Sequence, residues 1–139
     1  VAERAAVVYA KARRLHQFAY EDSTGALKAL QGKKLLGLIT NGPGEGQREK
    51  LDVTGLTGYF DLIVPSGEVG VGKPLPEIFE YALSALGVTA GCSVHVGDNL
   101  VADIRGANDA GMFSVWINRK GGDRASRGRY RRRRSPNAD

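Results

Sequence analysis

The stretch 61-DLIVPSGEVGVGKPLPEIF-79 runs from a short apolar segment, through a glycine-rich turn, into a helical pattern. Gly67 to Lys73 reads G-x-x-x-x-G-K, seven of the eight positions of a phosphate-binding P-loop. The eighth position decides against that reading. A P-loop needs a hydroxyl there for Mg²⁺ and a backbone N–H for the phosphates. Pro74 has neither. The helix also starts too late, near Pro76, for Lys73 to lie in its first turn. The alternative is a lysine carried at the end of a strand and held as a fixed cation by the Pro74–Pro76 segment.

Working outward, the same alternation of elements repeats. The run 35-LLGLIT-40 reads as a buried parallel strand, followed by a helix at about 45–53 and the strand at 61–65. A helix over Pro76–Leu86 closes on Gly87. A strand at 93–97, a helix at 100–110 closed by Gly111, and a last strand at 113–118 complete the series. Upstream, residues 2–19 carry an apolar stripe at helical spacing. A second helix, capped by Asp22 or Ser23, is expected to run through Leu30 and stop at Gly32. Phe113 and Trp116 are core candidates, Asn118 and His95 are read as structural, and His16 as a helix-surface residue.

Four strand–helix alternations describe an α/β fold with an open, doubly wound, parallel, Rossmann-like sheet. Ligands bind such sheets at the carboxyl ends of the strands. The first strand ends in 40-TNG-42, with a hydroxyl and an amide at a turn. The second leads to Lys73. The third ends in 97-GDNLVAD-103, where Asp98 and Asp103 flank a helix start. Asp98 is a hard oxygen donor suited to Mg²⁺, and Asp103, one turn on, is placed to orient a metal-bound water or the lysine. The plainer alternative is that Asp98 or Asn99 caps the helix and Asp103 pairs with Arg105 or a lysine. A hydroxyl, a cation and two carboxylates on three successive strand tips form the set a phosphoryl group with Mg²⁺ calls for.

At this point the sequence resembles the haloacid dehalogenase (HAD) superfamily of hydrolases. The resemblance covers roughly residues 25–118 and is carried by 37-GLITNG-42, 59-YFDLIVPSGEVGVGKPLPEIFEYAL-83 and 94-VHVGDNLVADIRGANDAGM-112. These look like the family's second, third and fourth motifs. The resemblance implies a phosphatase-like member. Thr40, helped by Asn41, would bind the transferring phosphoryl group, and Lys73 would stabilise its charge. Asp98 would ligate Mg²⁺ with support from Asp103. Leu75 stands where members often carry an acidic residue.

The family's first motif, Asp-x-Asp-x-Thr/Val on a central strand, supplies the nucleophile and the acid/base. No Asp-x-Asp occurs in these 139 residues, and Asp22 is the only Asp before Thr40. The expectation is therefore a C-terminal part of a longer hydrolase, opening on Val1. It would comprise a helical-cap remnant at 1–20, an incomplete core at 21–118 and a basic, disordered tail at 119–139. Without the central strand, the strands ending in Thr40 and Asp98 either pair directly, stay open, or admit another segment. The expected activity is Mg²⁺-dependent hydrolysis of a small phosphorylated metabolite through an aspartyl-phosphate, with the nucleophile outside the chain and the chain alone inactive. The alternatives are a non-catalytic phosphate- and Mg²⁺-binding remnant, or nucleic-acid binding through the tail.

Charge and composition set the remaining bounds. The net charge of +5 is concentrated at one end. Residues 119–139 hold nine basic and two acidic side chains, a local +7 that leaves −2 for residues 1–118. Nucleic acid is thus a candidate partner only through 124-RASRGRYRRRRSPNAD-139. No apolar run approaches the roughly 20 residues of a membrane span. The single Cys92 rules out an internal disulfide and points to a reducing, cytoplasmic setting. Substrate identity and oligomeric state are not legible.

Overall fold

The computed structural model describes residues 17–120, together with Arg4 and the backbone of Arg129–Arg131. Helix α1 spans Glu21–Leu30. Strand β1, Gly37–Thr40, leads to helix α2, Gly44–Val53. Strand β2, Leu62–Pro65, runs into the single-turn helix α3, Ser66–Val69, and then helix α4, Pro76–Leu86. Strand β3, Val94–Gly97, is followed by a π-helical segment, Leu100–Arg105, that continues as helix α5, Gly106–Asp109. Strand β4 is Phe113–Trp116 and strand β5 Arg129–Arg131.

The parallel strands form two sheets. Strand β1 pairs with β2, setting Gly37 opposite Leu62 and Thr40 opposite Pro65. Strand β3 pairs with β4, setting Val94 opposite Phe113 and Gly97 opposite Trp116. Strand β5 adds antiparallel to the other edge of β4. Among the described residues, strands β1 and β3 are not paired with each other, so they do not close directly on one another. Val94 and Val96, which share the face of β3 opposite His95, are 52% and 53% exposed.

The core lies beneath these sheets. Val64, Ile78, Phe79, Ala82 and Ala107 pack as one buried cluster, with Ile39, Leu62, Val69, Val71, Ala110 and Met112 around it. Helix α4 supplies three of the five because Ile78, Phe79 and Ala82 recur at helical spacing on one face. It carries Pro76 in its first turn and ends at Gly87, whose φ of 66° is the left-handed cap that glycine takes at least cost. Phe113 and Trp116 are only half-buried and lie outside the core cluster.

Several expected boundaries shift, each for a local reason. Strand β1 starts at Gly37 rather than Leu35, because the Leu36 N–H donates to Asp61 Oδ2 (2.8 Å) and its carbonyl accepts from Asp61 and Leu62. Neither Asp22 nor Ser23 caps α1, which begins after Tyr20. Both side chains instead receive Arg119, whose guanidinium also lies 3.8 Å from the centre of the Tyr20 ring. The helix expected at 2–19 falls mostly outside the described residues, as does His16, and residues 17–19 are not helical. The tail was expected to lack regular structure; within it, residues 129–131 form β5, using the backbone groups β4 leaves open at its edge. The rest of 121–139 lies outside the described residues.

Candidate phosphoryl site at the strand ends

The turn after β1 is built around small residues. The Gly42 N–H donates to Ser66 Oγ (2.9 Å), and the Gly67 N–H donates to the Gly42 carbonyl (3.0 Å). A side chain on Gly67 would meet Pro43 Cα at 2.9 Å, so the approach of α3 to this turn requires glycine. The Gly42 amide is therefore spent on Ser66 and does not face outward for an anion.

Asn41 uses its whole amide group on the backbone of Lys73. Its Oδ1 accepts from the Lys73 N–H and its Nδ2 donates to the Lys73 carbonyl, each at 2.8 Å. The side chain expected to help Thr40 bind a phosphoryl group thus ties the end of β1 to the lysine loop. The neighbouring Lys73–Pro74 bond is cis.

Lys73 reaches inward, its side chain 12% exposed, and Nζ lies 2.5 Å from Asp103 Oδ1. The same oxygen meets His95 Nε2 at 3.1 Å, and Asp103 Oδ2 accepts the Asn99 N–H at 3.0 Å. Asp103 is 5% exposed and is one of two buried polar residues among the described residues. Burial opposes its ionisation. Hydrogen bonds from His95, Lys73 and the Asn99 amide, with the lysine charge, outweigh that and hold the carboxyl well below the usual carboxylate range. Asn99 caps the segment that carries Asp103, its Oδ1 accepting from the Val101 and Ala102 amides. Arg105 pairs with Asp109 and leaves Asp103 to the lysine.

His95 was read as a packed strand residue, and its ring does pack edge-on against Phe79, centroids 5.1 Å apart. The reading missed its other side, where Nε2 meets Asp103. The signal available in sequence was alternation: His95 and Gly97 share one face of β3, the face on which Asp103 packs. A Cβ on Gly97 would overlap the Asp103 carboxyl, so Gly97 leaves the room this carboxylate occupies.

Thr40 Oγ1 donates to Gln47 Oε1 at 2.8 Å, an acceptor that sequence reading did not single out. Trp116 Nε1–H donates to the Asp98 carbonyl (3.0 Å), fixing the strand tip and leaving the exposed Asp98 carboxylate without a hydrogen bond among the described residues. A hard divalent cation asks for several oxygen ligands. Asp98 fits that demand. Asp103 does not fit as a direct ligand, since both of its oxygens already accept donors. Among the described residues no group of three or more His, Cys, Asp or Glu is gathered to hold a metal. The donor set is thus a partial one, with Asp98 its open member. One connected network, running from Asn41 through Lys73 to Asp103, His95 and Asn99, joins the ends of β1, β2 and β3.

A family model for haloacid dehalogenase-like hydrolases matches residues 2–111. The chain belongs to this family. Among similar proteins, the phosphoserine phosphatase of Thermus thermophilus is 50% identical over 84 residues, which make up 60% of this chain and 34% of that protein. The N-acylneuraminate-9-phosphatase of Rattus norvegicus is 40% identical over 123 residues, 88% of this chain and 50% of that protein. The crystal structure of a HAD phosphatase from Thermococcus onnurineus superposes with a TM-score of 0.72 at 42% identity, covering 78% of this chain and 51% of that one. This HAD-like hydrolase chain spans half or less of the length of these curated relatives. Its fold is a partial HAD core, and no helix among the described residues is long and apolar enough to cross a membrane.

Proposed function

We propose that this chain carries the phosphoryl-binding part of a Mg²⁺-dependent phosphomonoesterase for a small phosphorylated metabolite. The observation that carries the reading is the part-buried Lys73 ammonium, clamped at its backbone by Asn41 and at its tip by Asp103. A lysine held this way is a prepaid positive charge, which costs no reorganisation when an anion arrives. Thr40 supplies a hydroxyl at the end of β1, bonded to Gln47. Phosphatases among the relatives, including the phosphoserine and N-acylneuraminate-9-phosphatases, support phosphoryl chemistry as the class of reaction.

In this reading Lys73 balances charge on the phosphoryl oxygens and Thr40 donates to one of them. Asp103 sets the position of Lys73. Asp98 would hold Mg²⁺, which when bound neutralises further phosphoryl charge. The nucleophile is an aspartate outside these 139 residues; attack by its carboxylate on phosphorus breaks the bond to the substrate alcohol, which leaves, and the aspartyl-phosphate so formed is hydrolysed by water to phosphate and the free aspartate.

The test is an assay of the full-length protein on p-nitrophenyl phosphate and a panel of small phosphomonoesters, with Mg²⁺ and with EDTA. Metal-dependent release of phosphate, abolished by Lys73→Met, is the expected result. A second reading fits the same clamped lysine. It is a phosphate-binding module without turnover, and the same assay separates it: phosphate binding with no hydrolysis would select it.

A further inference from the structure

Gln47 lies in the first turn of α2, its N–H bonded to the Pro43 carbonyl. Its side chain folds back over the turn that follows β1. Oε1 accepts the Thr40 hydroxyl proton at 2.8 Å. Nε2 lies directly over Gly42, so that a Cβ there would sit 2.5 Å from it. The amide therefore covers the very turn that offers Thr40 to a ligand.

We infer that Gln47 is a positioning residue that sets the direction of the Thr40 hydroxyl for an incoming phosphoryl group. The inference rests on the phosphoryl-site reading above. A threonine hydroxyl has one proton and two lone pairs. As found, the proton is given to Gln47, so Thr40 would turn lone pairs toward an anion that can only accept. A half-turn of the amide about its last torsion brings the NH₂ to Thr40 Oγ1. Gln47 then donates to the hydroxyl, and the hydroxyl proton is free for a phosphoryl oxygen. A carboxamide can do this from one position because it carries an acceptor and a donor on the same carbon. Asn41, next to Thr40, cannot substitute, since both ends of its amide are bound to Lys73. Occupied and empty states of the site thus differ in the direction of one hydrogen bond.

The experiment is a double-mutant cycle on the full-length protein in saturating Mg²⁺, with inorganic phosphate as the probe. Wild type, Gln47→Met, Thr40→Val and the double variant are titrated with phosphate, and unfolding midpoints confirm that each is folded. Gln47→Met is expected to weaken phosphate binding about fivefold, the worth of one ordinary hydrogen bond, and to change nothing in the Thr40→Val background. Gln47→Glu, which accepts but cannot donate at neutral pH, is expected to weaken it roughly tenfold or more. The side-chain NH₂ resonances of Gln47 are expected to move when phosphate is added to wild type and to stay put in Thr40→Val. Equal loss from Gln47→Met in both backgrounds, or loss in neither, overturns the assignment while leaving the phosphoryl site intact. If wild type binds no phosphate, the phosphoryl-site reading falls and takes this assignment with it.

Discussion

Two lysine- or arginine-to-carboxylate pairs of similar length sit in very different surroundings. Lys73 and Asp103 meet at 2.5 Å with side chains 12% and 7% exposed. Arg48 and Glu68 meet at 2.7 Å with side chains 47% and 41% exposed. The surface pair is bidentate, since Arg48 Nη2 also reaches Glu68 Oε2 at 2.8 Å, and by geometry alone it looks the better one. Water decides otherwise. Exposed pairs gain little over their hydrated states, whereas a buried carboxylate that loses a partner cannot recover it from solvent. The difference teaches that the site network is held in place by what its members would lose, and that the surface pair mainly positions α2 against α3.

The sharpest way to break the contrast is Asp103→Leu. It leaves the part-buried Lys73 without its anion and is expected to destabilise the full-length protein by about 3 kcal/mol in urea unfolding. Adding Lys73→Met is expected to return part of that loss, because removing both charges costs less than orphaning one. Activity stays absent in the double variant.

Acid gives the second test. The folded-state pKa of Asp103 lies below its ordinary value of 3.8, so the carboxylate favours folding wherever the unfolded chain would be ionised. That contribution is complete above the ordinary value and is lost as pH falls through and below it. Unfolding free energies of wild type and Asp103→Asn are therefore expected to differ at neutral pH and to converge toward pH 3 and lower.

Asn41→Ala comes next. It removes two hydrogen bonds to the Lys73 backbone and is expected to cost about 1–2 kcal/mol, with phosphate affinity falling although no phosphate contact is deleted. The smallest effect is expected from Glu68→Gln: no measurable change in the unfolding midpoint, and no dependence of that result on added salt beyond what wild type shows. A clear destabilisation there would mean that α3 depends on its surface pair, and the contrast between the two regions would fail.

Much of this was legible in the sequence. Pro76 and Gly87 bracket α4 because proline and glycine have position-specific backbone preferences. Glycines and apolar runs marked β1 through β4. The reading that Asp103 would meet a lysine followed from its place one turn past the tip of β3, and Lys73 is that lysine. What escaped it was side-chain direction. Periodicity placed Gln47 in a helix but gave no sign that its amide folds back to Thr40. His95 looked like core because one of its edges is core. Asn41 was assigned to a ligand, while its two amide atoms match the backbone of a residue 32 positions away, a pairing that no local pattern encodes.

Gly106 carries no chemistry, yet the site depends on it. A Cβ there would lie 2.8 Å from the Phe79 ring and 2.9 Å from the backbone of Pro74, so this hydrogen atom fixes how closely the segment bearing Asp103 lies on the loop bearing Lys73. In a saturation-mutagenesis survey Gly106 would score with the reactive side chains, intolerant even of alanine. A map of indispensable positions would then mark as functional a residue whose whole contribution is clearance.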